Sequence, residues 1–111
     1  MADILYFVVP CYNEEAVLPE TSKRLLAKLT SLTERGIADG KSRILFVDDG
    51  SKDKTWQIIS DLHQSDKRFS GVKESRNRGH QNALLAGLFT AVEYADVTIT
   101  LDADLQDDIE A

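Results

Sequence analysis

Short apolar runs alternate along this chain with segments of helical periodicity, and that alternation is its tightest constraint. Ile4 to Val9 is a continuous apolar run, the pattern of a strand buried on both faces. Pro10 lacks an N–H for a ladder and is expected to end it. From Pro19 to about Arg35, Leu25, Leu26, Leu29 and Leu32 recur at helical spacing, with Pro19 tolerated in the first turn and Gly36 just past the end. A polar loop, Ile37 to Ser42, leads to a second strand over Arg43 to Asp48. Ser51 or Asp53 can cap the next helix, whose apolar face is Trp56, Ile59 and Leu62. Phe69 to Glu74 reads as a weaker strand and Asn77-Arg78-Gly79 as a turn. His80 to Ala95 reads as a third helix, with small residues Ala83, Gly87 and Ala91 on one stripe. Val97 to Leu101 is a fourth strand. Such strand–helix–strand repetition predicts a parallel sheet covered on both faces, with right-handed crossovers. The length of 111 residues suits one domain with a modest core.

The fourth strand delivers Leu-Asp-Ala-Asp-Leu-Gln-Asp-Asp, residues 101–108, which gathers four carboxylates and a carboxamide within seven residues. Side chains on a strand alternate faces, so Asp102 and Asp104 can point the same way with Ala103 between them. Two such carboxylates make a hard oxygen site suited to Mg²⁺ or Mn²⁺. The competing reading is a solvated acidic turn, and position at a strand exit favours the metal site. Further polar clusters follow the first strand (Pro10 to Glu15) and the second (Asp48 to Ser51). In open parallel sheets ligands bind beyond the carboxyl ends of the strands, where strand order reverses. If the order is 3-2-1-4, strands 1 and 4 are neighbours at that reversal, Pro10–Glu15 and Asp102–Asp108 face each other across one crevice, and Asp49 lines the same edge. Polar clusters are expected at these exits and at none of the entrances.

Composition narrows the partners. A formal charge of -6 argues against a nucleic-acid surface, though a metal can supply the positive charge a nucleotide needs. Cys11 is the sole cysteine, so no intrachain disulfide can form. No apolar run approaches the roughly 20 residues of a membrane span, and Ile4–Val9 is too short for a signal-peptide core.

Pro10-Cys11-Tyr12-Asn13-Glu14-Glu15, Val47-Asp48-Asp49-Gly50-Ser51 and Asp102-Ala103-Asp104-Leu105-Gln106 together resemble the nucleotide-sugar-binding half of a family 2 glycosyltransferase. Ser75-Arg76-Asn77-Arg78-Gly79-His80-Gln81 and Asp-Ala-Asp-Leu-Gln-Asp resemble its polyprenyl-phosphate branch, the dolichol-phosphate mannose synthases and bactoprenol glucosyltransferases. The fold this implies is GT-A: a three-layer α/β/α sandwich on a mostly parallel, Rossmann-like sheet. The resemblance places Pro10, Tyr12, Glu14 and Asp49 on base and ribose, with Val47 lining that pocket and Ala103 touching the nucleotide through its backbone. It places Asp102 and Asp104 on the divalent cation that bridges the diphosphate, with Gln106 as a further ligand. Asp108 departs from the family, where proline is frequent, but stands outside the metal motif.

The implied reaction is hexose transfer from a UDP- or GDP-sugar to a polyprenyl phosphate, with inversion, in cell-envelope biogenesis at the cytoplasmic membrane face. The resemblance also implies that an acceptor half and any membrane anchor follow Ala111. The chain is therefore expected to be an inactive N-terminal donor-binding fragment, with an open sheet edge that invites dimerisation. Two other readings stand beside this one: a nucleotide-binding module without activity, and an Asp-based phosphoryl-transfer domain. The latter places its key acid after strand 1 or 3, not strand 4. The remaining polar residues have plainer expectations. Glu15 should sit on a solvated loop, Asp48 should brace its turn and Arg76 and Arg78 should be solvated. His80 should start a helix, His63 should be exposed, Cys11 should be a small packed residue and Trp56 should belong to the core.

Overall fold

The computed structural model describes residues 2–48, 50–73 and 95–101. In chain order these form β1 (Leu5–Cys11), α1 (Leu18–Glu34), β2 (Arg43–Asp48), α2 (Thr55–Ser65), β3 (Phe69–Lys73) and β4 (Val97–Thr100). The sheet order is β3-β2-β1-β4, and every pairing is parallel. Both features match the expectation from sequence. The expected third helix, residues 80–95, falls almost wholly outside the described residues, as do Arg76, Arg78 and His80.

Strand alternation divides the core into two faces. Leu5, Phe7, Val9 and Cys11 of β1, with Ile44 and Phe46 of β2 and Phe69 of β3, join Leu18, Leu25, Leu29 and Ile59 from the helices in one cluster. Trp56 and Leu62 pack against that cluster, so Trp56 serves the core as expected. Phe46 and Phe69 stack across β2 and β3 with ring centroids 6.0 Å apart. The other face of the sheet holds Val8, Leu45 and Val47, with Tyr6 and Val72 beside them. Both described helices therefore cover the same face. One crossover hand produces this when β1, β2 and β3 are laid side by side in a single direction.

β1 does not stop before the proline. It runs through Pro10 to Cys11, and Pro10 pairs in register with Val47. Leu101 N–H donates to Val8 C=O, so the polar groups of Val8 face β4. Residue 10 has the same parity, so its missing N–H falls on the β4 side, beyond the last described β4 pair, Val8 with Thr100.

α1 starts near Pro19 and ends at Glu34, with Gly36 at φ 73 just past it. Ile37 N–H bonds Leu32 C=O and Gly36 N–H bonds Thr33 C=O, the paired closure of a Schellman motif. The entry to α2 differs from expectation: Lys54 holds the N-cap position without a side-chain cap. Asp53 instead accepts the Thr55 N–H (2.9 Å) from one residue further out, and Ser51 is engaged with the β1 loop.

The strand entrances are polar as well, contrary to expectation, and their groups are consumed by the fold. Ser42 Oγ accepts the Leu5 N–H and Asp96 Oδ2 accepts the Ile4 N–H, each at 2.8 Å. Arg68 binds both oxygens of Asp66 and also donates to Thr30 Oγ1 (2.9 Å), tying the start of β3 to α1. The hydrogen bonds from Arg68 hold the Asp66 carboxyl below its usual range.

α2 lies close on β3 at Gly71. A Cβ there would stand 2.5 Å from Ile59 Cγ2 and 3.2 Å from Trp56 Cζ3. Ile59 is buried, so the contact falls on a side chain of the core. Overpacking of this kind costs about 1–3 kcal/mol, more than the roughly 0.5–1 kcal/mol a strand glycine forfeits to alanine. Gly71→Ala should therefore lower the midpoint of chemical denaturation, and an unchanged midpoint would show that α2 is free to shift.

Candidate functional site

The C-terminal edge of the sheet brings together the sequence-predicted residues that the structure describes. Pro10 and Val47 are register partners at the ends of β1 and β2. Both are buried, and alternation puts them on the face away from α1 and α2. Tyr12 follows on the loop, 39% exposed and, among the described residues, one of four large apolar side chains open to solvent. Glu14 is half-buried and its N–H donates to Thr55 Oγ1 (2.8 Å). β4 enters the same edge beside β1, pairing as far as Thr100 with Val8, and Leu101 N–H then donates to Val8 C=O. Asp49, Asp102, Ala103, Asp104 and Gln106 themselves lie outside the described residues. Among the described residues no three His, Cys, Asp or Glu side chains gather to hold a metal ion.

The loops after β1 and β2 are stitched together by hydrogen bonds that sequence reasoning did not foresee. Asn13 N–H donates to Ser51 Oγ (2.9 Å), and Lys52 N–H returns a bond to Asn13 Oδ1 (2.8 Å). Thr55, fully buried, accepts from Glu14 N–H and donates to Asp53 Oδ1. Glu15 N–H reaches Asp53 Oδ2 at 3.2 Å, while the residue itself is exposed as expected. The one visible signal was Asn13, a residue type that tolerates left-handed backbone, placed just after a strand. It adopts φ 52.

Beneath this stitching, Asp48 is fully buried and its Oδ1 accepts the Ser51 N–H (3.1 Å), which is the bracing role expected of it. Its Oδ2 is buried without a hydrogen-bond partner among the described residues, a cost of roughly 1–3 kcal/mol. Cys11 pairs in register with Asp48. Burial, reinforced by the Glu14 and Asp48 carboxylates, pushes its thiol well above the usual range. A neutral buried thiol packs and does not attack. His63 is exposed, with Nδ1 2.6 Å from the C=O of Phe69 at the start of β3, the opposite end of the sheet from this edge.

The sequence model of the family described as Glycosyl transferase family 2 matches residues 6–111. This chain belongs to glycosyl transferase family 2. It is 50% identical over 106 residues to the Uncharacterized glycosyltransferase YkoT of Bacillus subtilis (strain 168), covering 96% of this chain and 32% of that protein. It is 42% identical to the undecaprenyl-phosphate 4-deoxy-4-formamido-L-arabinose transferase of Shewanella sediminis, over 94% of this chain and 29% of that protein. The expected polyprenyl-phosphate branch thus has a named member among the relatives. The fold is that of the mannosyltransferase PcManGT from Pyrobaculum calidifontis, solved in complex with GDP-Man and Mn²⁺. The TM-score is 0.70 at 24% identity, over 94% of this chain and 28% of that one. The GT-A expectation is met. The chain spans about a third of the length of the curated relatives it matches. The alternative of an Asp-based phosphoryl-transfer domain is set aside by the family, and β1 correspondingly ends in Pro10 and Cys11.

Asp53 gives the stitching a pH dependence. Burial works to raise its pKa, but hydrogen bonds from the Thr55 hydroxyl and N–H and from Glu15 N–H outweigh that and hold it below 3.8. A lowered folded-state pKa means the stabilisation is present above about pH 3.8 and is lost as pH falls through the lower folded value. Asp53→Asn should therefore flatten the acid limb of a stability–pH profile below that value. An unaltered acid limb would remove Asp53 from the balance.

Proposed function

We propose that this chain is the donor-binding half of a GT-A glycosyltransferase that moves a hexose from a UDP- or GDP-sugar to a polyprenyl phosphate, with inversion. The observation that carries this reading is the shared sheet edge. Pro10 and Val47 are paired there, Tyr12 and Glu14 follow on a loop tied to the β2 exit, and β4 runs beside β1 toward the same edge as far as Leu101. Base and ribose would lie against Pro10, Tyr12, Glu14, Val47 and Asp49, with the Ala103 backbone toward the nucleotide. Asp102, Asp104 and Gln106 form an all-oxygen donor set of the kind Mg²⁺ or Mn²⁺ takes. A cation held there supplies positive charge against the leaving diphosphate. Support for metal and nucleotide comes from the GDP-Man and Mn²⁺ bound by the structural neighbour, and for the acceptor from the undecaprenyl-phosphate relative.

The residues of this chain orient the donor and leave activation of the nucleophile aside. A phosphomonoester acceptor has a second pKa of about 6 and is largely ionised near neutral pH without a protein base. Direct displacement by it inverts the anomeric carbon. A lipid-linked acceptor puts the reaction at a membrane, and the same proposal takes the cytoplasmic face and cell-envelope biogenesis as its setting. No described helix is long and apolar enough to cross a membrane. A nucleotide-binding role without transfer remains the reading for this chain acting alone, and pairing of two copies through an open sheet edge is part of the same proposal.

Asp102→Asn and Asp104→Asn keep size and hydrogen-bonding capacity while each removes one negative charge. Each should weaken Mn²⁺-dependent binding of a nucleoside diphosphate in a calorimetric titration and leave metal-free nucleoside binding nearly intact. Stability without metal should hold or rise slightly, because two close carboxylates repel. Unfolding with metal affinity preserved would make the pair a structural turn.

A further inference from the structure

Tyr12 and Glu14, placed on the nucleoside above, flank a residue that packs into neither core cluster. Asn13 is exposed and sits at φ 52, in the left-handed region. Its two polar ends both reach the opposite loop, the N–H to Ser51 Oγ (2.9 Å) and Oδ1 from the Lys52 N–H (2.8 Å). Ser51 N–H is in turn held at 3.1 Å by Oδ1 of Asp48, which is fully buried in β2. A continuous line of bonds thus runs from a rigid strand, through Ser51, to the residue between two proposed ligand contacts. Helix and sheet formation require none of these bonds. What they fix is how the β1 loop stands relative to the β2 loop.

We propose that Asn13 is a positioning residue: by clasping Ser51 and Lys52 it sets the spacing of the two loops that receive the nucleoside, and so sets nucleoside affinity. The inference rests on the donor-site reading. Its physical basis is preorganisation, since loops already held in the bound arrangement lose less freedom on binding. Asparagine suits the position because it tolerates the left-handed backbone and carries an acceptor of the right reach. Glycine tolerates the backbone but has no acceptor, and aspartate offers both.

The test is calorimetric titration of the protein with GDP and with UDP in Mn²⁺, for wild type, Asn13→Gly, Asn13→Asp and Ser51→Ala, with Tm measured on each. Asn13→Gly and Ser51→Ala should raise Kd about 3–10-fold, the worth of one hydrogen bond, while Tm stays near wild type. Asn13→Asp should bind more tightly than Asn13→Gly. A merely structural role would instead lower Tm and leave the Kd of folded protein unchanged, which would overturn the proposal, as would an unchanged Kd at unchanged Tm. If wild type binds neither nucleotide, the donor-site reading falls and this inference with it. If wild type binds and Asn13→Gly binds equally, only this inference falls. Should Ser51→Ala fail to fold, the two Asn13 variants still decide the outcome.

Discussion

The parallel ladder between β1 and β2 carries everything placed at the candidate site. It runs in register from Tyr6 with Arg43 to Cys11 with Asp48. That register makes Pro10 the neighbour of Val47 on one face and Cys11 the neighbour of Asp48 on the other. A slip of one residue would exchange the faces and send Asp48 to the side where Val47 now lies. The ladder is locked by burial on both sides, with Val8, Val9, Ile44, Phe46 and Val47 all at 0% exposure. Fully burying each such side chain contributes roughly 1.5–3 kcal/mol, so a slipped register would forfeit several of these at once.

From that ladder the site is built by polar groups that serve backbone. Asp48 holds Ser51, Ser51 and Lys52 hold Asn13, and Thr55 with Asp53 holds Glu14 and Glu15. A loop whose N–H groups are already satisfied by the neighbouring loop keeps its shape while a ligand arrives. The cost of this arrangement is the buried Oδ2 of Asp48, which has no hydrogen-bond partner among the described residues. The strand entrances use the same chemistry for a different end. There Ser42 and Asp96 accept backbone N–H groups, and Arg68 joins Asp66 to Thr30.

Much of the fold was legible in the sequence because burial imposes periodicity. The unbroken run Ile4–Val9 and the leucine spacing of α1 determined element type, and the alternation of elements determined a parallel sheet, while the order β3-β2-β1-β4 was assumed and then found. What escaped was set by partners distant in sequence. Pro10 looked like a strand terminator because its missing N–H is costly only where a neighbour strand would receive it. Ser51 looked like a helix cap because its bond to Asn13 spans 38 residues. Entrance residues such as Asp96 looked unremarkable because a carboxylate that accepts a remote backbone N–H leaves no local pattern. At the site, the motif residues were visible as chemistry, and Asn13 was passed over because its contribution is geometric.

The central claim is that a cation and a nucleoside diphosphate meet at the C-terminal edge of this sheet. Paramagnetic broadening of backbone amide resonances by Mn²⁺, in the presence of GDP or UDP, tests it most directly. The account predicts that Tyr12, Glu14, Ser51 and Leu101 broaden first and that Arg43, Phe69 and Val97, at the opposite ends of the strands, broaden last. Broadening centred on the strand entrances, or indifferent to nucleotide, would contradict it.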